Sequence, residues 1–124
     1  MFNLGLDHYH FAEGTDSSDW RHKKSRLYYA AYNVARSIRL HYDGVYSTDS
    51  EDHKKVGNLP NDFPNLAKYQ NDLPILRDDR NKCDYDHVAS EQDLFIGIDD
   101  TVTLVEEFIQ DSRDYLKTKG NIIL

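Results

Sequence analysis

Residues 25–42, SRLYYAAYNVARSIRLHY, keep a helical step without interruption by proline or glycine. Leu27, Ala31, Val34 and Ile38 recur at intervals of four, three and four, which places them on one face of a helix directed at a core. Tyr28, Tyr32 and Ala35 widen that stripe, whereas Arg26, Asn33, Arg36 and Arg39 fall largely outside it. Small alanines let a neighbouring backbone come close, and the tyrosines add packing area while keeping a hydroxyl for a polar partner. The pattern predicts the central helix of an all-α bundle.

The flanking segments fit the same architecture. Phe2–Glu13 reads as a short amphipathic helix closed by Gly14, and residues 15–19 offer N-caps, with Ser17 or Ser18 best placed before Trp20. Gly44 stops the central helix after Asp43, and the polar residues 46–62 read as a loop with one helical turn. Loops of that length are more often functional than idle. A third helical region spans residues 65–86, with a break expected at Pro74 and a fresh start capped by Asn71 or Asp72. The last helix begins near Ser90 or Asp99 and ends at Lys119–Gly120, with Val105, Ile109, Ser112 and Leu116 keeping the step. Gly97 and the β-branched pair Val102 and Thr103 weaken its beginning. Residues 1–124 are thus expected to be one domain, an up-and-down bundle of four to five helices.

Three prolines, six glycines and a 30% charged fraction exclude a linker-rich or disordered protein. No apolar run is long enough for a membrane span, and MFNLGLDHYH lacks the order of a signal peptide, so a soluble cytoplasmic protein is expected. The single cysteine, Cys83, can form no internal disulfide. A net charge of −7 makes any polyanion site local. The densest basic cluster is Arg21, His22, Lys23, Lys24 and Arg26, which reads either as such a site or as a solvated face balanced by Asp16 and Asp19. Asp7, His8 and His10 read as ordinary surface residues, since histidines two apart diverge on a helix. There is no Gly-rich phosphate loop, Ser/His/Asp arrangement or cysteine cluster, and no metal or cofactor is expected.

Chemistry concentrates in residues 73–87, LPILRDDRNKCDYDH. Arg77, Arg80, Asp84 and His87 are spaced three, four and three, so a continuous helix would align them. An arginine can neutralise charge on a phosphorane-like centre and a histidine can move a proton to or from a ribose oxygen. The same spacing also describes an ordinary Arg80–Asp84 helix ion pair with His87 at a helix end.

These residues carry a resemblance. SRLYYAAYNVAR resembles the signature helix of the HEPN domain family, a Ser-Arg-x-Tyr-Tyr-Ala pattern followed by an aromatic and an Ala-Arg. HKKVGNLP resembles the family's His-containing connecting segment, and LRDDRNKCDYD its second signature, with Cys83 where alanine is usual. The likeness touches residues from about 10 to 116. It implies a helical bundle that commonly dimerises, and for many members a metal-independent ribonuclease activity in toxin–antitoxin, phage-defence or CRISPR settings. The family's active site is an Arg, four to six residues, then His. Arg80-Asn81 to His87 matches with six intervening residues, whereas Arg36 to His41 lies in the wrong helix. The resemblance therefore assigns catalysis to Arg80, Asn81 and His87 and implies a homodimer that unites two Arg/His sets; RNA contacts are expected from the basic residues Arg77, Lys23, Lys24 and Arg26. His53, in the connecting segment, reads as structural or exposed unless the bundle places it over Arg80. Family members with Asp-Tyr-Asp often lack the catalytic histidine and act as adaptors or as partners of a nucleotidyltransferase, so Asp84-Tyr85-Asp86 also admits a non-catalytic partner or antitoxin-type module.

Overall fold

Four helices carry the architecture: α1 (Phe2–Glu13), α2 (Trp20–Asp43), α3 (Leu66–Tyr85) and α4 (Ile98–Gly120), with a 3-10 turn, Glu91–Asp93, before the last. The computed structural model describes residues 2–14, 19–43, 53, 55–85 and 90–120, the backbone alone for 41–43, 85 and 119–120. No strand occurs among the described residues, and none of the helices described is long and apolar enough to cross a membrane. The expected N-caps Ser17 and Ser18 lie outside the described residues, and α2 opens at Trp20 with Lys23 N–H bonded to the Asp19 carbonyl.

The central helix sits where its apolar stripe requires, packed against α1, α3 and α4 in turn. Leu27, Ala31, Val34 and Ile38 are fully buried, and so are Tyr28, Ala30 and Ala35. The small residues do what the sequence suggested, and α1 answers with one of its own. A Cβ added at Gly5 would stand 2.7 Å from Val34 Cγ2 and 2.8 Å from the Ala30 carbonyl oxygen. Gly5→Ala gains helix propensity of about 1 kcal/mol, but a methyl against backbone must push α1 away from α2. A net loss of about 1–3 kcal/mol is expected, the usual scale of overpacking, and urea denaturation with a raised rather than lowered midpoint would contradict this close approach.

Between the start of α3 and α4, Phe63, Tyr69, Phe108 and Tyr115 form an aromatic cluster, with centroids 4.9 Å apart for Tyr69–Phe108 and 5.3 Å for Phe63–Tyr115. Their polar tips are satisfied at the edge. The Tyr69 hydroxyl donates to Asp111 at 2.5 Å and that of Tyr115 to Asp62 at 3.1 Å. Asn65 precedes α3 at φ 54°, a left-handed conformation that asparagine tolerates, and its side chain also reaches Asp111.

Two boundaries differ from expectation. The predicted restart at Asn71 or Asp72 is absent, because α3 runs through Pro74 without interruption. An interior proline costs about 3 kcal/mol, but Tyr69, Leu73 and Leu76 are all fully buried around it, and each such side chain contributes about 1.5–3 kcal/mol. Packing outweighs the local break. Gly57 lies against this turn, where a Cβ would meet two Pro74 ring carbons at 3.1 Å and the Gln70 carbonyl oxygen at 3.3 Å. In the last region both suggested starts are used for different purposes. Ser90 leads the 3-10 turn, its N–H bonded to the Asp93 carboxylate at 2.7 Å, and α4 begins at Ile98 with Asp99 and Asp100 in its first turn. Acidic residues there suit the positive end of the helix dipole.

Candidate functional site

Lys24, expected at an RNA surface, is instead fully buried, and its ammonium is committed to the core. It pairs with Asp79 at 3.1 Å and donates to the Ile96 carbonyl at 2.6 Å and to Thr101 Oγ1 at 2.5 Å. Three N–H bonds meet three acceptors, the full donor capacity of an ammonium. Asp79 is equally well used, accepting from the backbone N–H groups of Phe95 at 2.8 Å and Ile96 at 2.9 Å. Burial pulls the Lys24 pKa down and Asp79 draws it back up. The pair joins α2, α3, the connection at residues 94–97 and α4, so its role is architectural and it offers nothing to a phosphate.

One turn along α2 from this anchor, the tyrosine stripe meets Arg80. Its guanidinium carbon lies 5.0 Å from the Tyr28 ring centroid and 5.5 Å from that of Tyr29, within range of a cation–π attraction. Nη1 approaches the Tyr29 hydroxyl and the Asp84 carboxylate, each at 3.5 Å. Arg80 is 6% exposed, whereas Asn81, next to it, is exposed. Arg77 is half-buried and pairs with Asp78 at 3.3 Å. His87 lies outside the described residues.

His53 comes to the same tyrosines from the connection between α2 and α3. Its Nδ1 is 2.8 Å from the Tyr28 hydroxyl, and its ring stacks on Tyr32 with centroids 4.1 Å apart and an interplanar angle of 14°. Arg36 lies over the same Tyr32 ring at 5.2 Å. Beside His53, Arg39 donates to the Lys55 carbonyl at 2.9 Å, and Val56 is buried. Burial raises the pKa of Tyr28, opposed by the nearby charges of Arg80 and Arg77. The phenol therefore stays protonated and serves as a fixed hydrogen-bonding group for the imidazole. The structure thus brings Arg80 and His53 onto Tyr28, an arrangement that the sequence alone left as a condition on the packing.

Of the remaining basic residues, Arg21 donates to the Lys82 and Cys83 carbonyls at 3.2 and 3.1 Å, satisfying acceptors at the end of α3. Lys23 is half-buried. Arg26 borders a separate cleft described below. His10 pairs with Glu13 at 3.2 Å, and no group of three or more potential metal ligands occurs among the described residues. Cys83 is buried, and burial pushes its thiol up to about 11. At neutral pH it is a protonated packing group, so reaction with a thiol reagent at pH 8 is expected to run at least tenfold slower than after denaturation. Equal rates would contradict the burial.

Comparison with protein-family models, curated proteins and solved structures finds no match to this chain.

Proposed function

We propose that this chain is a HEPN-type endoribonuclease that acts without a metal, as a dimer, with Arg80 binding the phosphate and a histidine moving the proton. One observation carries the reading: Arg80 and His53 converge on Tyr28, Arg80 Cζ 5.0 Å from the ring and His53 Nδ1 2.8 Å from the hydroxyl. A base oriented by a third group, next to a cation that can meet developing phosphate charge, is the arrangement that acid/base phosphoryl transfer needs. Attack by a ribose 2′-hydroxyl on the adjacent phosphate expels the 5′-oxygen and leaves a cyclic phosphate. His53 is the histidine favoured by this geometry, and Arg80-Asn81 to His87 is the alternative favoured by the family spacing. Pairing two protomers would bring a second Arg/His set to the substrate. Lys24 leaves the RNA-contacting set, and Arg26, Lys23 and Arg77 remain in it.

A second reading has its own support. Arg80 is 6% exposed and shares Asp84 with its own helix, which suits a residue that positions tyrosines in a non-catalytic partner of a nucleotidyltransferase or other effector, including an antitoxin-type module. The test is incubation of purified protein with end-labelled single-stranded RNA in EDTA, with analysis of product ends. Cleavage leaving cyclic phosphates supports the enzyme. Intact RNA, together with a stable complex between this chain and a nucleotidyltransferase, supports the partner.

A further inference from the structure

The N-terminal half of α2 and the facing side of α1 enclose a cleft of about 420 Å³ lined by His8, His22, Ser25, Arg26 and Tyr29. It does not contain the Arg80–His53 pair, yet it is joined to that pair through one ring. Tyr29 lies 5.9 Å from the His8 ring on the cleft side, and its hydroxyl is approached by Arg80 at 3.5 Å. The Tyr29 ring therefore stands between the cleft and Arg80.

The lining is chemically specific. Arg26 Nη1 donates to His8 Nδ1 at 3.0 Å, and its guanidinium carbon lies 4.5 Å from the ring centroid of Phe11. Among the described residues no carboxylate pairs with Arg26, so an imidazole and an aromatic face hold the guanidinium in place while leaving its charge uncompensated. In a chain of net charge −7, such a cation is a local anion site rather than part of a general basic surface. Burial and the Arg26 charge lower the pKa of His8, with Asp7 acting in the opposite sense. The imidazole is thus neutral near pH 7, and acceptance at Nδ1 places its proton on Nε2, where it is a hydrogen-bond donor. His22 is exposed at the rim, its ring 5.4 Å from that of the exposed Phe11. A fixed cation, a neutral imidazole and flat rings at an open edge are the means by which proteins hold single-stranded RNA, through phosphate contact and base stacking.

We infer that the cleft between α1 and α2 is a nucleotide subsite, in which Arg26 holds a phosphate of single-stranded RNA and the rings of His22 and Phe11 at its rim receive a base, with Tyr29 between the cleft and Arg80. This deepens the ribonuclease reading and rests on it for the identity of the strand. The volume fits such an occupant, since clefts of a few hundred Å³ are the usual scale for small-ligand sites.

The test uses a fluorescent 2′-O-methyl RNA hexamer, which lacks the attacking hydroxyl and so separates binding from turnover. By fluorescence anisotropy, Arg26→Ala is expected to weaken binding by about tenfold or more and His22→Ala by about fivefold, the scale of losing one stacking or cationic contact. His22 is exposed, so its replacement reports on the cleft even if Arg26→Ala disturbs the helix pair. Hexamer binding unchanged in His22→Ala and in folded Arg26→Ala, or absent in the wild type, would overturn the subsite. So would a free nucleoside monophosphate that binds as tightly as the hexamer. A wild type that binds through Arg26 and His22 but cleaves no natural RNA would instead overturn the nuclease and leave the subsite standing.

Discussion

Asp79→Ala is expected to cost about 3–5 kcal/mol of stability, the scale of breaking a buried ion pair by removing one partner. The cost follows from three losses in one place. Lys24 would keep a buried ammonium without its counter-charge, and the N–H groups of Phe95 and Ile96 would lose the carboxylate that binds them at 2.8 and 2.9 Å. Domains of this size are stable by about 5–15 kcal/mol, so the variant would approach unfolding at 37 °C. Lys24→Met removes the charge and is expected to cost less in the Asp79→Ala background than alone, because the two groups meet directly. Urea denaturation of the single variants and the double variant measures this coupling. Single losses below about 1 kcal/mol, or strict additivity, would reduce the pair to an incidental contact.

His53→Ala is expected to slow RNA cleavage by about a hundredfold or more, the contribution of a general acid or base, with little loss of stability because the imidazole is only half-buried. His87→Ala is the matched comparison, and a larger loss there would move the proton-transfer role to the family-spaced histidine. Tyr28→Phe separates positioning from chemistry. It removes the hydroxyl bonded to His53 Nδ1 at 2.8 Å while keeping the ring under Arg80, so it should displace the histidine limb of the pH–rate profile and lower the rate only by about three- to tenfold. A profile that does not move would mean that Tyr28 packs the imidazole without tuning it.

The parts of this molecule legible in the sequence are those governed by local periodicity. The stripe of Leu27, Ala31, Val34 and Ile38 is buried as its spacing demands, and the end of α1 at Glu13 falls where Gly14 suggested, whereas Gly44 lies outside the described residues. Continuity through Pro74 was not legible, since the burial that outweighs it comes from elsewhere in the bundle. Lys24 shows the same limit more sharply. Within a run of basic residues its type pointed outward, and only Asp79, fifty-five positions later, turns it into a core group. The candidate site divides in the same way. Arg80 stood out by motif, whereas the place of His53 shows only in its tertiary contacts with Tyr28 and Tyr32. Arg26 and His8 came from separate segments that α1 and α2 bring into one cleft.

The central claim, that Arg80 and His53 act as one site, is tested most directly by single-turnover cleavage of one labelled RNA in EDTA by wild type, Arg80→Ala, His53→Ala and the double variant. Residues that act as a unit lose their contributions together. Each single variant is therefore expected to be slower by about a hundredfold or more, and the double variant scarcely slower than the worse of the two. Wild-type rates in Arg80→Ala or His53→Ala, or losses that multiply in the double variant, would contradict it.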